Sequence, residues 1–286
     1  MELTNIGTVR EILSRHGFSF SKGLGQNFLV NPTVCPQIAE EGNAQAGWGI
    51  LEIGTGIGVL TKELALRADK VSAVEIDKRL LPVLEETLAD FDNIRIYNED
   101  VMKADLRGII ERDFAGLHAA VCANLPYYIT SPVIMLLLES HLPIESITVM
   151  VQKEAAQRLC AKVGSRESGA ITVGVNYYGT VQKLFDVSRG SFMPSPNVDS
   201  AVISIDIDKE PRLSGEEEEF FFKVVKAGFS QRRKTIANSL SSMLGADKEH
   251  VYTVLRELGL PETSRIEALD MEQLKAFSVG LMKLMK

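Results

Sequence analysis

Residues 51–58 read Leu51-Glu52-Ile53-Gly54-Thr55-Gly56-Ile57-Gly58, and this octet decides the fold. An apolar run ends on three alternating glycines, and helical spacing follows over 58–67. Glycines at such a turn let the backbone approach a ligand where a Cβ would clash. The pattern is G-x-G-x-G, one spacer short of the G-x-G-x-x-G fingerprint that seats a pyrophosphate on a helix N-terminus. Alone it is a weak signal, because glycine turns also simply join a strand to a helix. Two acids downstream strengthen it. Glu75 follows Gly54 by 21 residues, at the end of the second strand-like run. At that spacing a carboxylate takes ribose hydroxyls in nucleotide-binding units. Asp100, in Asn98-Glu99-Asp100-Val101, follows the third run and can accept from an adenine amine. Each acid alone reads equally well as a solvated strand-end charge. Three strand ends contributing in order point to a nucleoside site. Asp77 reads as the cap of the following helix.

The flanking chain repeats the same unit. A helix is expected at 5–15, then a glycine-rich segment at 21–28, and Asn31-Pro32 opens a helix that runs to about Glu41. Strands at 49–53, 70–75, 93–97, 118–123 and 146–152 alternate with helices at 58–67, 78–89, 131–140 and 153–160. Ser131-Pro132 reads as the cap of the third of these helices. This rhythm predicts an α/β fold with a doubly wound, mostly parallel sheet. Runs near 180–187 and 201–207 fit an antiparallel addition at one edge. Pro211 and Ser214-Gly215 then break the chain, and helices are expected at 216–229, 232–244, 248–258 and 271–285. Two domains follow: 1–208, and a small all-helical 209–286.

With 45% hydrophobic and 24% charged residues, the composition is that of an ordinary globular protein. No run approaches the ~18 apolar residues of a membrane span, and Met1 to Arg10 lacks an apolar signal core. We expect a cytoplasmic protein without membrane contact. Cys35, Cys122 and Cys160 show no C-x-x-C spacing and read as reduced thiols. With the four histidines equally dispersed, no metal is indicated. The net charge of −7 argues against nonspecific polyanion binding. The deficit lies before Ile207, however, and the tail balances 13 basic against 13 acidic residues. Any nucleic-acid contact must use a local patch. No heptad pattern or large apolar run suggests an obligate dimer, so a monomer is expected.

A second motif carries the chemistry. Ala120-Val121-Cys122-Ala123 leads into Asn124-Leu125-Pro126-Tyr127-Tyr128. An apolar strand thus ends in a carboxamide, a residue without an N–H, and aromatic rings. The Asn124 amide oxygen and the Leu125 carbonyl can accept both hydrogens of a flat exocyclic amine while Tyr127 stacks on its ring. Nothing in the motif removes a proton, so it suits an amine that attacks an already activated electrophile. Without the upstream glycine loop, a simple turn would be the better reading.

With these residues in place, the chain resembles the ribosomal RNA adenine N6-dimethyltransferase family, most nearly its small-subunit branch, over nearly its whole length. Lys22-Gly23-Leu24-Gly25-Gln26-Asn27-Phe28-Leu29 is similar to the family's N-terminal cofactor segment. Phe192-Met193-Pro194-Ser195-Pro196-Asn197-Val198-Asp199-Ser200 is similar to its target-site motif. Phe229-Ser230-Gln231-Arg232-Arg233-Lys234-Thr235 and Arg265-Ile266-Glu267-Ala268-Leu269 resemble segments of its helical domain. Tyr128 departs from the pattern, where many members carry asparagine.

The resemblance implies a Rossmann-type methyltransferase fold with S-adenosyl-L-methionine as cofactor. It implies cofactor contacts from Gln26, Asn27 and Leu29, from the loop glycines 54, 56 and 58, and from Glu75, Ile76, Asp100, Val101 and Asn124. Asn124 and Leu125 would align the target amine, with Tyr127 and Phe192 on the base. From their charge and position, Arg232, Arg233 and Lys234 read as phosphate contacts rather than a solvated first turn, since cations at a helix start oppose its dipole. Arg158, Lys162 and Arg166 read as an extension of this RNA-binding patch or as solubilising surface. The implied partner is small-subunit rRNA within an assembling 30S particle, dimethylated at N6 of two adjacent adenosines near its 3′ end. Three alternatives stay open: a resistance-type enzyme acting on large-subunit rRNA, an assembly factor with secondary methylation, and an NAD-dependent oxidoreductase.

Overall fold

A computed structural model describes residues 1–208 and 213–285; Pro211 and the first residues of the expected second domain lie outside them. The described strands are β1 (Phe28–Leu29), β2 (Trp48–Ile53), β3 (Lys70–Val74), β4 (Ile94–Tyr97), β5 (His118–Asn124), β6 (Ser146–Gln152), β7 (Gly179–Val187), β8 (Phe192–Met193) and β9 (Ser200–Ile207). Helices of the first half are α1 (Ile6–Arg15), α2 (Val34–Glu41), α3 (Val59–Ala65), α4 (Leu81–Thr87), α5 (Leu106–Asp113) and α6 (Thr130–Glu139). Then follow α7 (Lys153–Leu159), α8 (Ala170–Tyr178), α9 (Gly215–Ser230), α10 (Ile236–Leu244), α11 (Lys248–Glu257) and α12 (Met271–Met285).

The main sheet runs β4-β3-β2-β5-β6-β9-β7. Its first five strands are mutually parallel, and β9 returns antiparallel to β6. Central strands covered on both faces read as unbroken apolar runs. Accordingly, Ala119 through Ala123 and Ile50, Leu51 and Ile53 are all buried. The order reverses at β2: the chain steps outward to β3 and β4, then crosses back to β5. Ligands of doubly wound sheets bind beyond the strand ends at such a switch point. The glycine loop and the Asn124 motif leave β2 and β5 there, side by side.

The chain packs as two compact units. One joins Met1–Ala156 to Val181–Ile207, and the other joins Gln157–Thr180 to the described residues from Asp208 on. The stretch 157–180, expected in the first domain, therefore packs with the helical tail. Its α8 supplies the reason: Tyr177 stacks on Phe221 of α9 with ring centroids 5.0 Å apart. The Tyr177 and Tyr178 hydroxyls donate to Glu218 at 3.2 and 2.7 Å. Within this unit Ile266 fills the surface of α9 at Gly228, where a Cβ would stand 2.6 Å from it.

Local expectations shift at several ends. α2 starts at Val34, because the Asn31 side chain instead accepts from the Thr33 N–H at 3.1 Å. α6 starts at Thr130 without a side-chain cap, so Ser131 is not one. The helix expected from Lys78 opens as a 3-10 turn, Lys78–Leu80. α10 begins only at Ile236, since Thr235 caps it, and Arg232 to Lys234 form the preceding turn. Helices α5 and α8 were not expected from the sequence. For α5 the signal was present: Asp105 caps through the Gly108 N–H at 3.0 Å, and Leu106, Ile109 and Ile110 share a buried face.

Candidate active site

One cavity of about 300 Å³ lies at the switch point, within the first unit. Thirteen of the fourteen residues that the sequence assigns to cofactor and catalysis line it, from Gln26 to Phe192. Gly58 does not. It opens α3 at φ +89°, where a Cβ would stand 3.0 Å from Leu88, so it serves helix packing.

The side assigned to cofactor is built from the ends of β2, β3 and β4. Gly54 and Gly56 take φ of +78° and +55°, backbone that favours glycine. Beyond β3, the Glu75 carboxylate closes onto this loop. It accepts from the Thr55 hydroxyl at 2.9 Å, the Gly56 N–H at 3.3 Å and the Asp77 N–H at 2.8 Å. Burial pushes the Glu75 carboxyl above its ordinary range, and these donors oppose the rise. Asp100 accepts from the Met102 N–H at 3.0 Å, beside the buried Val101 and the exposed Ile76.

Residues 24–29 form the facing wall. The two ends of the Gln26 amide are both engaged: Oε1 accepts from the Ser21 N–H at 3.0 Å, and Nε2 donates to Asp77 at 2.7 Å. Asn27 donates to the Gly25 carbonyl at 3.0 Å. Leu29 pairs with Phe192 in the small β1–β8 ribbon, which brings the target-site motif to the cavity.

The β5 end supplies acceptors. The Leu125 N–H donates to the Met150 carbonyl at 3.3 Å. Among the described residues, nothing donates to the Leu125 carbonyl, and the half-buried Asn124 side chain has no hydrogen bond. Tyr127 is fixed by its hydroxyl, 2.9 Å from Ser200 Oγ. Burial raises its phenol above the ordinary value. Phe192 is buried at the same cavity.

Sequence reasoning left Glu52 out of the site. It lines the cavity at 1% exposure, and neither carboxylate oxygen has a hydrogen-bond partner among the described residues. Burial pushes its carboxyl up to about 8, with the nearby Thr61 hydroxyl opposing the rise and the Glu75 charge adding to it. The signal that finds it is an acid in the middle of Leu51-Glu52-Ile53. A buried carboxylate of this kind is complemented by a cationic ligand group.

The basic residues assigned to RNA belong to the second unit. Arg232 is half-buried, paired with Glu267 at 3.0 Å and donating to the Arg166 carbonyl at 2.8 Å. Arg233 and Lys234 are exposed and make no ion pair among the described residues. The Arg158 carbonyl accepts from Thr172 at 2.7 Å.

The family model described as ribosomal RNA adenine dimethylase matches residues 17–277. A relative from Geobacillus thermodenitrificans, "Ribosomal RNA small subunit methyltransferase A", is 46% identical over all of this chain and 99% of its own length. One of the same name from Bacillus licheniformis is 44% identical over 94% of each chain. Among solved structures, a dimethyladenosine transferase from Plasmodium falciparum superposes with a TM-score of 0.74 at 26% identity, covering 90% of this chain and 98% of that one. The 23S rRNA methyltransferase ErmE superposes at 0.68 and 29% identity, covering 90% and 100%.

Proposed function

The chain belongs to the ribosomal RNA adenine dimethylase family, and on that premise we propose how its cavity works. It is an S-adenosylmethionine-dependent enzyme that dimethylates adenine in small-subunit rRNA. We propose further that the targets are two adjacent adenosines near the 3′ end, reached by a monomer within an assembling 30S particle in the cytoplasm. No helix among the described residues is long and apolar enough to cross a membrane.

The cavity fits the cofactor. The orphaned Glu52 carboxylate suits a ligand bearing ammonium and sulfonium charges, and Glu75 stands at the strand end where a ribose diol is taken. When bound, S-adenosylmethionine supplies a methyl group already activated as a sulfonium. The protein's remaining task is to orient the amine.

The observation that carries the reading is the pair of unpartnered acceptors at the β5 end, Asn124 and the Leu125 carbonyl. The adenine N6 lone pair is delocalised into the ring and attacks poorly until the nitrogen pyramidalises. Accepting its two N–H bonds favours that geometry and acts on the transition state. The product nitrogen loses its proton to solvent, and no base is required. Each transfer replaces one N–H with a methyl, so the dimethylated base leaves both acceptors unpaired and is held less tightly. Tyr127 and Phe192 bracket the flipped base, each stack contributing ~1–3 kcal/mol. The exposed Arg233 and Lys234 contact phosphates.

The test is incubation of unmodified small subunits with labelled S-adenosylmethionine, followed by nucleoside analysis and primer extension. N6,N6-dimethyladenosine at two neighbouring positions is expected. Small subunits that take up no label on adenosine N6 would overturn the assignment.

A further inference from the structure

Tyr128 has no part in the roles above, yet it lines the cavity while 57% exposed. It shares the 3-10 turn Tyr127–Ile129 with Tyr127. Successive side chains in such a turn diverge by about 120°, so the two rings cannot serve the same base. Their bonding also differs. The Tyr127 hydroxyl is fixed on Ser200, whereas the Tyr128 hydroxyl has no partner among the described residues. The Tyr128 ring lies beside Gly25, where a Cβ would stand 3.4 Å from two of its carbons. Gly25, at φ +59°, thus presents bare backbone to the ring across the cavity wall. One aromatic edge is supported, and much of the ring is open to solvent where the cavity opens.

We propose that Tyr128 stacks on the base flanking the target adenine, which in a pair of adjacent targets is the other adenosine. The inference rests on the function proposed above. Extruding a base strips its neighbour of a stacking partner. An aromatic ring beside the entrance restores that contact whichever base is presented, and keeps the strand outside while the target nucleotide enters. Tyr128 is then a residue for substrate hold and register, distinct from the acceptors on the amine.

The test compares wild type with Tyr128→Ala, Tyr128→Phe and Tyr128→Trp on unmodified small subunits. The Ala variant should raise KM for the particles about tenfold, with a smaller change in kcat. Phe and Trp should return KM to within twofold of wild type. Melting temperature and calorimetric affinity for S-adenosylmethionine should match wild type in all three. A wild type that methylates normally beside an Ala variant of unchanged KM overturns this inference alone. So does an Ala defect that Phe and Trp fail to rescue, or one matched by lost stability. A wild type that modifies no small-subunit adenosine overturns the proposed function and this inference together.

Discussion

The Gln26 amide donates to Asp77 across 2.7 Å and so joins the N-terminal wall of the cavity to the end of β3. Asp77 is held in turn by Arg79 at 2.6 Å, whose hydrogen bonds keep the carboxyl below its ordinary value. Arg79 also donates to the Ser19 carbonyl and lies over the Phe18 ring. Phe18, Ser19 and Gln26 are therefore all tied to Asp77 and Arg79, just beyond β3.

Gln26→Ala should loosen that wall without touching the amine acceptors. A hydrogen bond to a charged group is worth ~1.5–3 kcal/mol, so S-adenosylmethionine affinity should fall about tenfold or more by calorimetry. Single-turnover rate at saturating cofactor should change little. Unaltered affinity would show that this tie is irrelevant to cofactor binding.

Glu52 gives the protein a pH dependence of definite sign. Burial pushes its carboxyl up to about 8 in the folded state, from about 4.5 for an exposed glutamate. Between those values the folded state holds a proton that the unfolded state has lost. The contribution of Glu52 to stability therefore falls as pH rises from about 4.5 to about 8, and levels off above. Melting temperature measured from pH 5 to 8 should decline, and Glu52→Gln should flatten the decline. If a cationic ligand group neutralises Glu52, cofactor binding near pH 7 should also release a proton. Calorimetry in buffers of different ionisation heat reads this, and heats independent of buffer would refute that pairing.

In the second unit, charges that look alike in sequence should behave differently. Arg233→Ala and Lys234→Ala should each weaken binding to small-subunit rRNA and reduce the salt slope by about 1, without lowering the melting temperature. Arg232→Ala should lower it, because Glu267 and the Arg166 carbonyl lose their partner. Equal melting temperatures for the three variants would contradict this division.

The doubly wound sheet was legible because its signals are local: glycine turns and apolar strands at regular spacing mark β2 to β6. Part of the cavity lining was legible for the same reason, since Gly54, Glu75, Asp100 and Asn124 stand at or just beyond strand ends, whereas Gln26, Asn27, Leu29 and Phe192 came from the family resemblance. What escaped depends on distant partners. Tyr177 and Tyr178 sit in an apolar stretch whose assignment to the helical tail rests on Phe221 and Glu218, some 40 residues on. Arg232 reads as one of three adjacent cations until Glu267 is placed beside it. Glu52 reads as a strand residue until both faces of β2 are covered and its carboxylate is left without a donor.

Replacing the side chain of Asn124 by alanine removes one of the two acceptors proposed to hold the amine at the tip of β5. Rapid-quench measurement of one methyl transfer, with enzyme and cofactor both saturating, should show a rate reduced roughly a hundredfold or more. Calorimetric affinity for S-adenosylmethionine should move by far less. A variant that transfers its methyl at the wild-type rate would contradict the account.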